Sequence, residues 1–355
     1  MRIAIEFCPA SRSTPTLSAS TQGLPLQFPF PVLVCDIGGT NVRIARIDAP
    51  DAAMSAPAHL KTGDHPGLAE AILVSEAGKV PPQSVIACGA GPVAGRTLQL
   101  TNAPWLIDGP AIAAKLGLAQ GLLLNDFEAQ ALALSAIPPA WLLGIGPLLA
   151  PGQGPRVILG PGTGLGIGAL IEVGGRYVAL ASEASHLDFG PVEPDEWALW
   201  PYLEKAHGRI TTECVMSGPG LARLHRARLA ALGQPVPACD AAGIGTRACA
   251  DSTSEEADTV RLFWRLIGRF AGDMAITYLA TGGVFLAGGI LPRLASLLDA
   301  DKFRAAFDAK APVDALARRI PAHLVTTPDA VQAGMAAIAA NPARYALDYA
   351  ARQWV

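Results

Sequence analysis

The sequence predicts an α/β protein that folds into two lobes. Its 355 residues, of which 51% are hydrophobic, exceed the size at which a single core usually stops growing. Short buried-strand patterns alternate with helical patterns along the chain. A strand, a glycine-rich turn with a threonine and a second strand occur at 31–48 and again at 156–180. We therefore expect the architecture that opens the first half to recur in the second.

The first half continues from its opening hairpin with alternating elements. Residues 67–78 have the apolar face of a helix, and residues 84–93 form a short buried strand that runs into a Gly/Pro turn. Residues 121–126, GLLLND, predict another strand, which leads directly into a helix over 127–136. This alternation places the first half in the α/β class.

The second half contains the strongest helical pattern of the chain, at 254–283. This pattern has acidic residues in its first turn, a regular apolar face and a Gly-Gly stop. A buried strand, VFLAGGI, follows at 284–290 and ends in another diglycine. The Ala-rich helix predicted at 330–341 is long enough to cross back to the first lobe.

These elements suggest a division of the chain into domains. We assign residues 30–136 plus 328–355 to a small α/β domain and residues 137–327 to a large α/β domain. Residues 1–29 are rich in Ser, Thr and Pro, and we expect them to form a disordered N-terminal tail outside the fold.

Composition excludes several classes of protein. A net charge of -3 provides no basic surface for nucleic acid or anionic lipid. The six cysteines form no CxxC pair and have no histidine at zinc-ligand spacing, so we expect free thiols in a reducing cytoplasm. Residues 129–155 carry no charge, but the prolines at 138, 139, 147 and 151 would break a membrane-spanning helix. Small soluble ligands are the expected partners, without nucleic acid or membrane.

Three glycine-rich turns, at 36–40, 160–166 and 286–290, each follow a buried strand. Glycine lets backbone N–H groups approach an anion closely, and successive amides form a concave phosphate site. Asp36 is placed to orient Mg²⁺ through water. The alternative is that all three turns are strand-to-loop corners. The candidate nucleotide-binding residues are Asp36, Gly38, Gly39, Thr40, Asn41, Gly162, Thr163, Gly164, Gly288 and Gly289.

Other phosphate-binding motifs are missing from the sequence. No G-x-x-x-x-G-K-[ST] motif occurs, so the chain is not a P-loop enzyme. The glycines of GPGTGLG stand at every second position, which is not the spacing of a dinucleotide-binding fold. No HRD and DFG pair of the protein-kinase kind is present.

Seven segments together resemble the bacterial glucokinases of the hexokinase, Hsp70 and actin superfamily. In chain order they are DIGGTN, TNAPW, LLLNDFEAQ, LGPGTGLGIG, EASHLDF, TECVMSGPGL and FLAGGILPR, and the similarity around them extends from about residue 32 to about residue 338. The resemblance implies a two-lobed, actin-like ATPase fold of the ribonuclease H-like type, with the active site in the interlobe cleft. It further implies ATP and Mg²⁺ as cofactors, D-glucose as substrate, the first step of glycolysis and a homodimer. The chain lacks the CxCGxxGC zinc cluster of ROK kinases, which indicates the non-ROK branch.

The resemblance also assigns roles in the sugar site. Asp126, at the end of a predicted strand, is suited to accept a hydroxyl proton, and it matches the general base of the family's Asn-Asp motif. The alternative is that Asp126 only caps the helix at 127–135. The remaining candidates for sugar binding are Asn102, Asn125, Glu183, His186 and Glu213.

Two further alternatives follow from the same motifs. Glu183 and His186 are spaced like half of a metal site, but no second histidine stands at helical spacing. The acceptor sugar is also open, since another hexose or an amino sugar would use the same kinds of side chain. A catalytically silent sugar sensor or an actin-like nucleotide-binding module is the remaining alternative.

Overall fold

The structure, a computed structural model, describes residues 27–101 and 103–354. In these residues the strands are β1 (Val32–Ile37), β2 (Asn41–Ile47), β3 (Ala58–Lys61), β4 (Ser84–Gly89), β5 (Val93–Ala94), β6 (Thr97–Gln99), β7 (Leu106–Asp108), β8 (Gln120–Asn125), β9 (Leu142–Gly144), β10 (Arg156–Pro161), β11 (Leu165–Val173), β12 (Arg176–Ser182), β13 (Gly283–Leu286), β14 (Ala322–Val325) and β15 (Gln353–Trp354). The helices are α1 (Leu68–Ser75), α2 (Gly109–Leu116), α3 (Asp126–Ala133), α4 (Pro194–Leu199), α5 (Thr212–Val215), α6 (Gly218–Ala231), α7 (Ala241–Ala250), α8 (Glu255–Thr277), α9 (Ala300–Asp308), α10 (Asp314–Ala317), α11 (Ala330–Ala340) and α12 (Tyr349–Arg352).

Two six-stranded sheets organise the chain, and five strands of each share one topology. The first has the order β15-β8-β4-β1-β2-β3, and the second has the order β12-β11-β10-β13-β14-β9. In each sheet, three antiparallel strands form a meander whose first strand pairs in parallel with the next strand of the sheet. An antiparallel strand, β15 or β9, completes the other edge. The predicted α/β class and the predicted repetition of the opening architecture are both confirmed.

Local sequence accounts for the parallel strands. β4 is buried at every position, and β1 is buried at every position except Asp36. Continuous apolar runs of this kind belong to strands that are covered on both faces. β8 has the same pattern and ends at the half-buried Asn125.

The strongest predicted helix is confirmed as α8. The Ser254 side chain accepts a hydrogen bond from the backbone N–H of Ala257, and three acidic residues stand in the first turn. Its apolar face packs into the core of the second lobe.

Two helices lie between the sheets. α3 and α11 share one hydrophobic cluster with residues of both sheets, including Val34 of β1 and Ile158 of β10. A Cβ added to Gly334 of α11 would lie 2.5 Å from the Cα of Ala133 in α3, so the two helix backbones are in close contact. The expectation that the Ala-rich helix returns to the first lobe is therefore confirmed. Among the described residues, no helix is both long and apolar enough to cross a bilayer.

The predicted N-terminal boundary at residue 29 needs correction. Phe28 is buried in the cluster between the sheets, and the Ser84 hydroxyl donates a hydrogen bond to the Pro29 carbonyl at 2.7 Å. Residues 27–29 therefore pack on the first lobe, because the apolar ring of Phe28 finds a place in its core. The rest of the predicted tail, residues 1–26, lies outside the described residues.

Candidate active site

The site begins where parallel strands of the first sheet end. The register pairs Asp36 of β1 with Cys88 of β4, and Gly89 of β4 with Asn125 of β8. Because the carboxyl ends of parallel strands meet at one edge of a sheet, the carboxylates of Asp36 and Asp126 come close together. Burial raises the pKa of Asp126 above its ordinary value, and the negative charge of Asp36 adds to this effect.

Asp36 has few partners of its own at this edge. Burial raises its pKa, while the guanidinium of Arg43, 3.4 Å away, and the Cys88 thiol, whose sulfur lies 3.7 Å from the carboxylate, partly offset the effect. Among the residues that the structure describes, no group of three His, Cys, Asp or Glu side chains is arranged to hold a metal ion. A metal at Asp36 would therefore take its other ligands from water and substrate, which suits Mg²⁺.

The first predicted phosphate turn, Gly38 to Thr40, is fixed by hydrogen bonds to neighbouring residues. The Gly38 N–H donates to the Asn41 carbonyl at 2.8 Å, and Thr62 donates from its N–H and its hydroxyl to the carbonyls of Thr40 and Gly38. These bonds occupy the carbonyl oxygens. They fix the peptide planes of a turn whose residues Gly39 and Thr40 are exposed.

The second turn, Gly162 to Gly164, is tied to two neighbouring elements. The Gly218 N–H, at the start of α6, donates to the Gly162 carbonyl at 2.8 Å. Glu213 of α5 accepts a hydrogen bond from the Leu165 N–H at 2.8 Å. A Cβ on Gly164 would lie 2.6 Å from the same carboxylate oxygen of Glu213, so a side chain there would displace this carboxylate. The Glu213 carboxylate therefore packs against the second turn and is hydrogen-bonded to the residue that follows it.

The third turn packs against the second. Gly288 has a φ of +89°, in the left-handed region, and a Cβ there would lie 2.6 Å from the Pro161 carbonyl oxygen. Gly289 lines the adjacent cavity, which has a volume of about 950 Å³. This cavity also contains Gly162 and Thr163, and the turn at 38–40 contributes nothing to its wall.

Most of that cavity's wall was not predicted from the sequence. It comes from α6, from α7 and the two residues before it, from the residues after Gly289 and from Glu204. The lining residues are Glu204, Gly218, Pro219, Ala222, Arg223, Arg226, Cys239, Asp240, Ala241, Ala242, Gly245, Thr246, Cys249, Ile290, Arg293 and Leu294. One local signal was available. Ser217 caps α6, and the sequence SGPG places small residues at a helix start next to the second turn.

The start of α3 decides which residue is the helix cap. Asn125 is the N-cap: its side-chain oxygen accepts from the N–H groups of Phe127 and Glu128, and Glu128 completes a capping box. Asp126 is the first residue inside the helix, so the alternative that it serves as the cap is wrong. Asn125 also donates to the Gly91 carbonyl at 3.0 Å. Its side chain is largely committed to local structure, whereas the carboxylate of Asp126 takes no part in the capping box.

Helix α3 contacts the second lobe at β11. A Cβ on Gly166 would lie 1.6 Å from the ring of Phe127, so the ring occupies the space that a side chain there would fill. Leu165, the residue before this glycine, is the one held by Glu213. The contact thus brings Asp126 of the first lobe to the turn of the second lobe that Glu213 supports.

The predicted sugar-binding side chains of the second lobe also come together. His186 Nε2 lies 3.5 Å from the Glu183 carboxylate, within a short 3₁₀ turn. Thr212 of α5 donates to carbonyls on both sides of that turn, which ties it to Glu213. His186 and Glu213 line one cavity of about 240 Å³. Glu183 has 90% of its side chain exposed, and Asn102 lies outside the described residues.

Three basic residues of that smaller cavity, His207, Arg209 and Arg223, were missed by the sequence analysis. His207 has a φ of 51° and is followed by Gly208 at 78°, so this pair forms a tight reversal before Arg209. The Arg209 guanidinium is held by Asp188 and by the His186 carbonyl. The sequence signal was the His-Gly pair, which favours a turn but does not show what the turn faces.

Comparison with known proteins gives a consistent result. A family model described as Glucokinase matches residues 33–342. A glucokinase of Rhizobium meliloti (strain 1021) is 40% identical over 329 residues, which cover 92% of this chain and 97% of the relative. The crystal structure of glucokinase from an Antarctic psychrotroph superposes with a TM-score of 0.78 at 31% identity, over 88% of this chain and 99% of that one. A glucokinase of Balamuthia mandrillaris in complex with glucose shares the fold, with a TM-score of 0.69 at 21% identity, covering 88% and 93% of the two chains.

Proposed function

The chain belongs to the glucokinase family, and on this premise we propose that Asp126 is the base that activates the 6-hydroxyl of glucose for attack on ATP. The overall reaction is the transfer of the γ-phosphoryl group of ATP to glucose, which gives glucose 6-phosphate and ADP. The observation that carries the assignment of the base is the capping box. Asn125 caps α3, and this leaves the half-buried Asp126 carboxylate for chemistry.

The environment of Asp126 suits a general base. Burial raises the pKa of its carboxyl group, which makes the ionised carboxylate a stronger proton acceptor. As the O6–phosphorus bond forms, the bond between the γ-phosphorus and its bridging oxygen breaks and ADP leaves. The O6 proton passes to the Asp126 carboxylate.

Glu183, His186 and Glu213 are proposed to hold the sugar from the second lobe. Carboxylates accept hydrogen bonds from two hydroxyls at once, and the imidazole offers a donor or an acceptor. Asn125 is a weaker candidate because its amide already bonds to Gly91 and to α3. Closure of the lobes on glucose would exclude water, which otherwise competes as an acceptor for the phosphoryl group.

The phosphates are proposed to lie between the turns at Gly38–Thr40 and Gly162–Gly164. The large cavity beside Gly289 is proposed to take the adenosine. Asp36 is proposed to orient Mg²⁺ through water, since the described part of the chain has no group of three His, Cys, Asp or Glu side chains that could hold the ion directly. Bound to the phosphates, this ion would neutralise charge that develops during transfer. From the family resemblance alone, we further propose a cytoplasmic homodimer acting at the first step of glycolysis.

The test is a coupled assay with MgATP and a panel of sugars at equal concentration, in which ADP and sugar phosphate are followed together. We expect glucose 6-phosphate to form in step with ADP and other sugars to react far more slowly. Asp126→Asn should lower kcat by at least about a hundredfold and leave the glucose dissociation constant within about threefold. A variant that retained most of its kcat would remove Asp126 from the role of base. Equal rates with several hexoses would refute the preference for glucose.

A further inference from the structure

The segment 348–354 packs on the elements that carry the proposed base. Strand β15, within this segment, adds antiparallel to β8, with Trp354 opposite Gly121 and Gln353 opposite Leu122. Strand β8 ends at Asn125, directly before Asp126. The segment therefore forms the edge of the sheet beside the strand that leads into the active site.

Trp354 anchors this segment. Its side chain is fully buried in a slot formed by two glycines. A Cβ on Gly121 would lie 1.9 Å from the indole, and a Cβ on Gly109 would lie 2.2 Å from it. Asp348 caps the preceding helix α12 by accepting a hydrogen bond from the Ala351 N–H at 3.1 Å. Because both ends of the segment are fixed, Arg352 is presented in one place.

Arg352 contacts the capping box of α3. Its Nη1 lies 2.7 and 2.6 Å from the two carboxylate oxygens of Glu128. Glu128 in turn accepts a hydrogen bond from the Asn125 N–H at 3.4 Å, while Asn125 caps the N–H groups of Phe127 and Glu128. Asp126 lies between Asn125 and Glu128 in the chain. Arg352 is thus linked through Glu128 and Asn125 to the backbone on both sides of Asp126, the proposed base.

We propose that Arg352 is a positioning residue for Asp126 and acts through Glu128. The Glu128 side chain is only 17% exposed, so without its cation it gains solvation by turning towards water. That rotation would remove its hydrogen bond to the Asn125 N–H and open the capping box. The first turn of α3 would then hold Asp126 less rigidly, and an error of about 1 Å at a reacting group is enough to slow catalysis strongly. The proposal rests on the assignment of Asp126 as the base.

The experiment measures kcat and KM for Arg352→Gln, Glu128→Ala and the double variant, with glucose and MgATP. Alanine is used at 128 because glutamine would still complete the capping box. We expect each single change to lower kcat about tenfold, with KM for glucose within about twofold of wild type. If Arg352 acts through Glu128, the second substitution adds almost nothing, so the double variant should match Glu128→Ala alone. Arg352→Lys should recover part of the rate, since it restores the cation without the guanidinium geometry.

Arg344→Gln is the matched control. Arg344 forms an exposed pair with Glu172 at 3.4 Å, away from the capping box, and its loss should leave kcat unchanged. Additive losses in the double variant, or a rise in KM equal to the fall in kcat, would overturn the proposal. If Arg352→Gln does not fold, Glu128→Ala and Arg352→Lys still decide the question, because wild-type kcat in both refutes it. A failed base assignment would appear separately, as retained activity in Asp126→Asn.

Discussion

Gly166→Ala is the most direct test of how the two lobes are held in register. The added Cβ would lie 1.6, 1.7 and 2.1 Å from three atoms of the Phe127 ring, whereas carbon atoms in contact are normally about 3.5 Å apart. The ring or the strand must therefore move by roughly 2 Å. Overpacking of this kind costs about 1–3 kcal/mol of unfolding free energy. Because Phe127 follows Asp126, the same shift should lower kcat by about a hundredfold.

The assay combines thermal unfolding with steady-state kinetics on Gly166→Ala. Gly144→Ala serves as the control, because a Cβ at that position of β9 meets no atom within 4 Å. Phe127→Leu removes the outer ring atoms that clash. The double variant Gly166→Ala with Phe127→Leu should therefore be more stable and more active than Gly166→Ala alone. Gly166→Ala with the stability and kcat of wild type would refute the reasoning, since it would mean that Phe127 does not fix the position of α3.

Two further predictions concern the carboxylate at the lobe interface and the large cavity. The pKa of Asp126 is raised in the fold, so its charged form destabilises the protein above the unfolded-state pKa. Asp126→Asn should therefore unfold at a higher temperature than wild type at pH 7, and the difference in unfolding temperature should vanish at pH 3. An Asp126→Asn variant that is less stable than wild type at pH 7 would contradict the direction of this pKa shift. The kcat/KM of the wild-type enzyme should fall as pH drops through the raised pKa of Asp126. Ala242→Trp places a large ring in the wall of the cavity beside Gly289. KM for ATP should therefore rise at least about tenfold, while KM for glucose stays within about twofold of wild type. Equal effects on the KM values of both substrates would argue against adenosine binding in this cavity.

Much of the architecture was predictable because it depends on local pattern. The apolar runs of β1, β4 and β8, the capped amphipathic helix α8 and the recurrence of a glycine turn after a buried strand are all visible in the sequence. Each of these features is determined by residues that are close together in the chain. A period in hydrophobicity or a glycine after a strand acts within a few positions of the chain.

The helix start at 125–126 marks the limit of such reasoning. Asn125 and Asp126 are both good caps, and the sequence alone leaves open whether Asp126 is the cap of the helix or the base. The structure distinguishes them because Asn125 takes the extended conformation of an N-cap and Glu128 closes the box. The bounds of the N-terminal tail failed for a similar reason, since the burial of Phe28 depends on a core formed by distant elements.

The sequence by itself determined that two α/β lobes follow one another, that glycine turns end their first strands, and that an Asn-Asp pair ends another. Only the tertiary structure decided which of these residues meet. It placed Glu213 under the turn at Gly164, Phe127 against Gly166, and Arg352 on Glu128. These contacts join residues that lie 39 to 224 positions apart or belong to different lobes. The physical reason is that side-chain periodicity specifies which face is buried, whereas the partner on that face is set by the packing of whole sheets and helices.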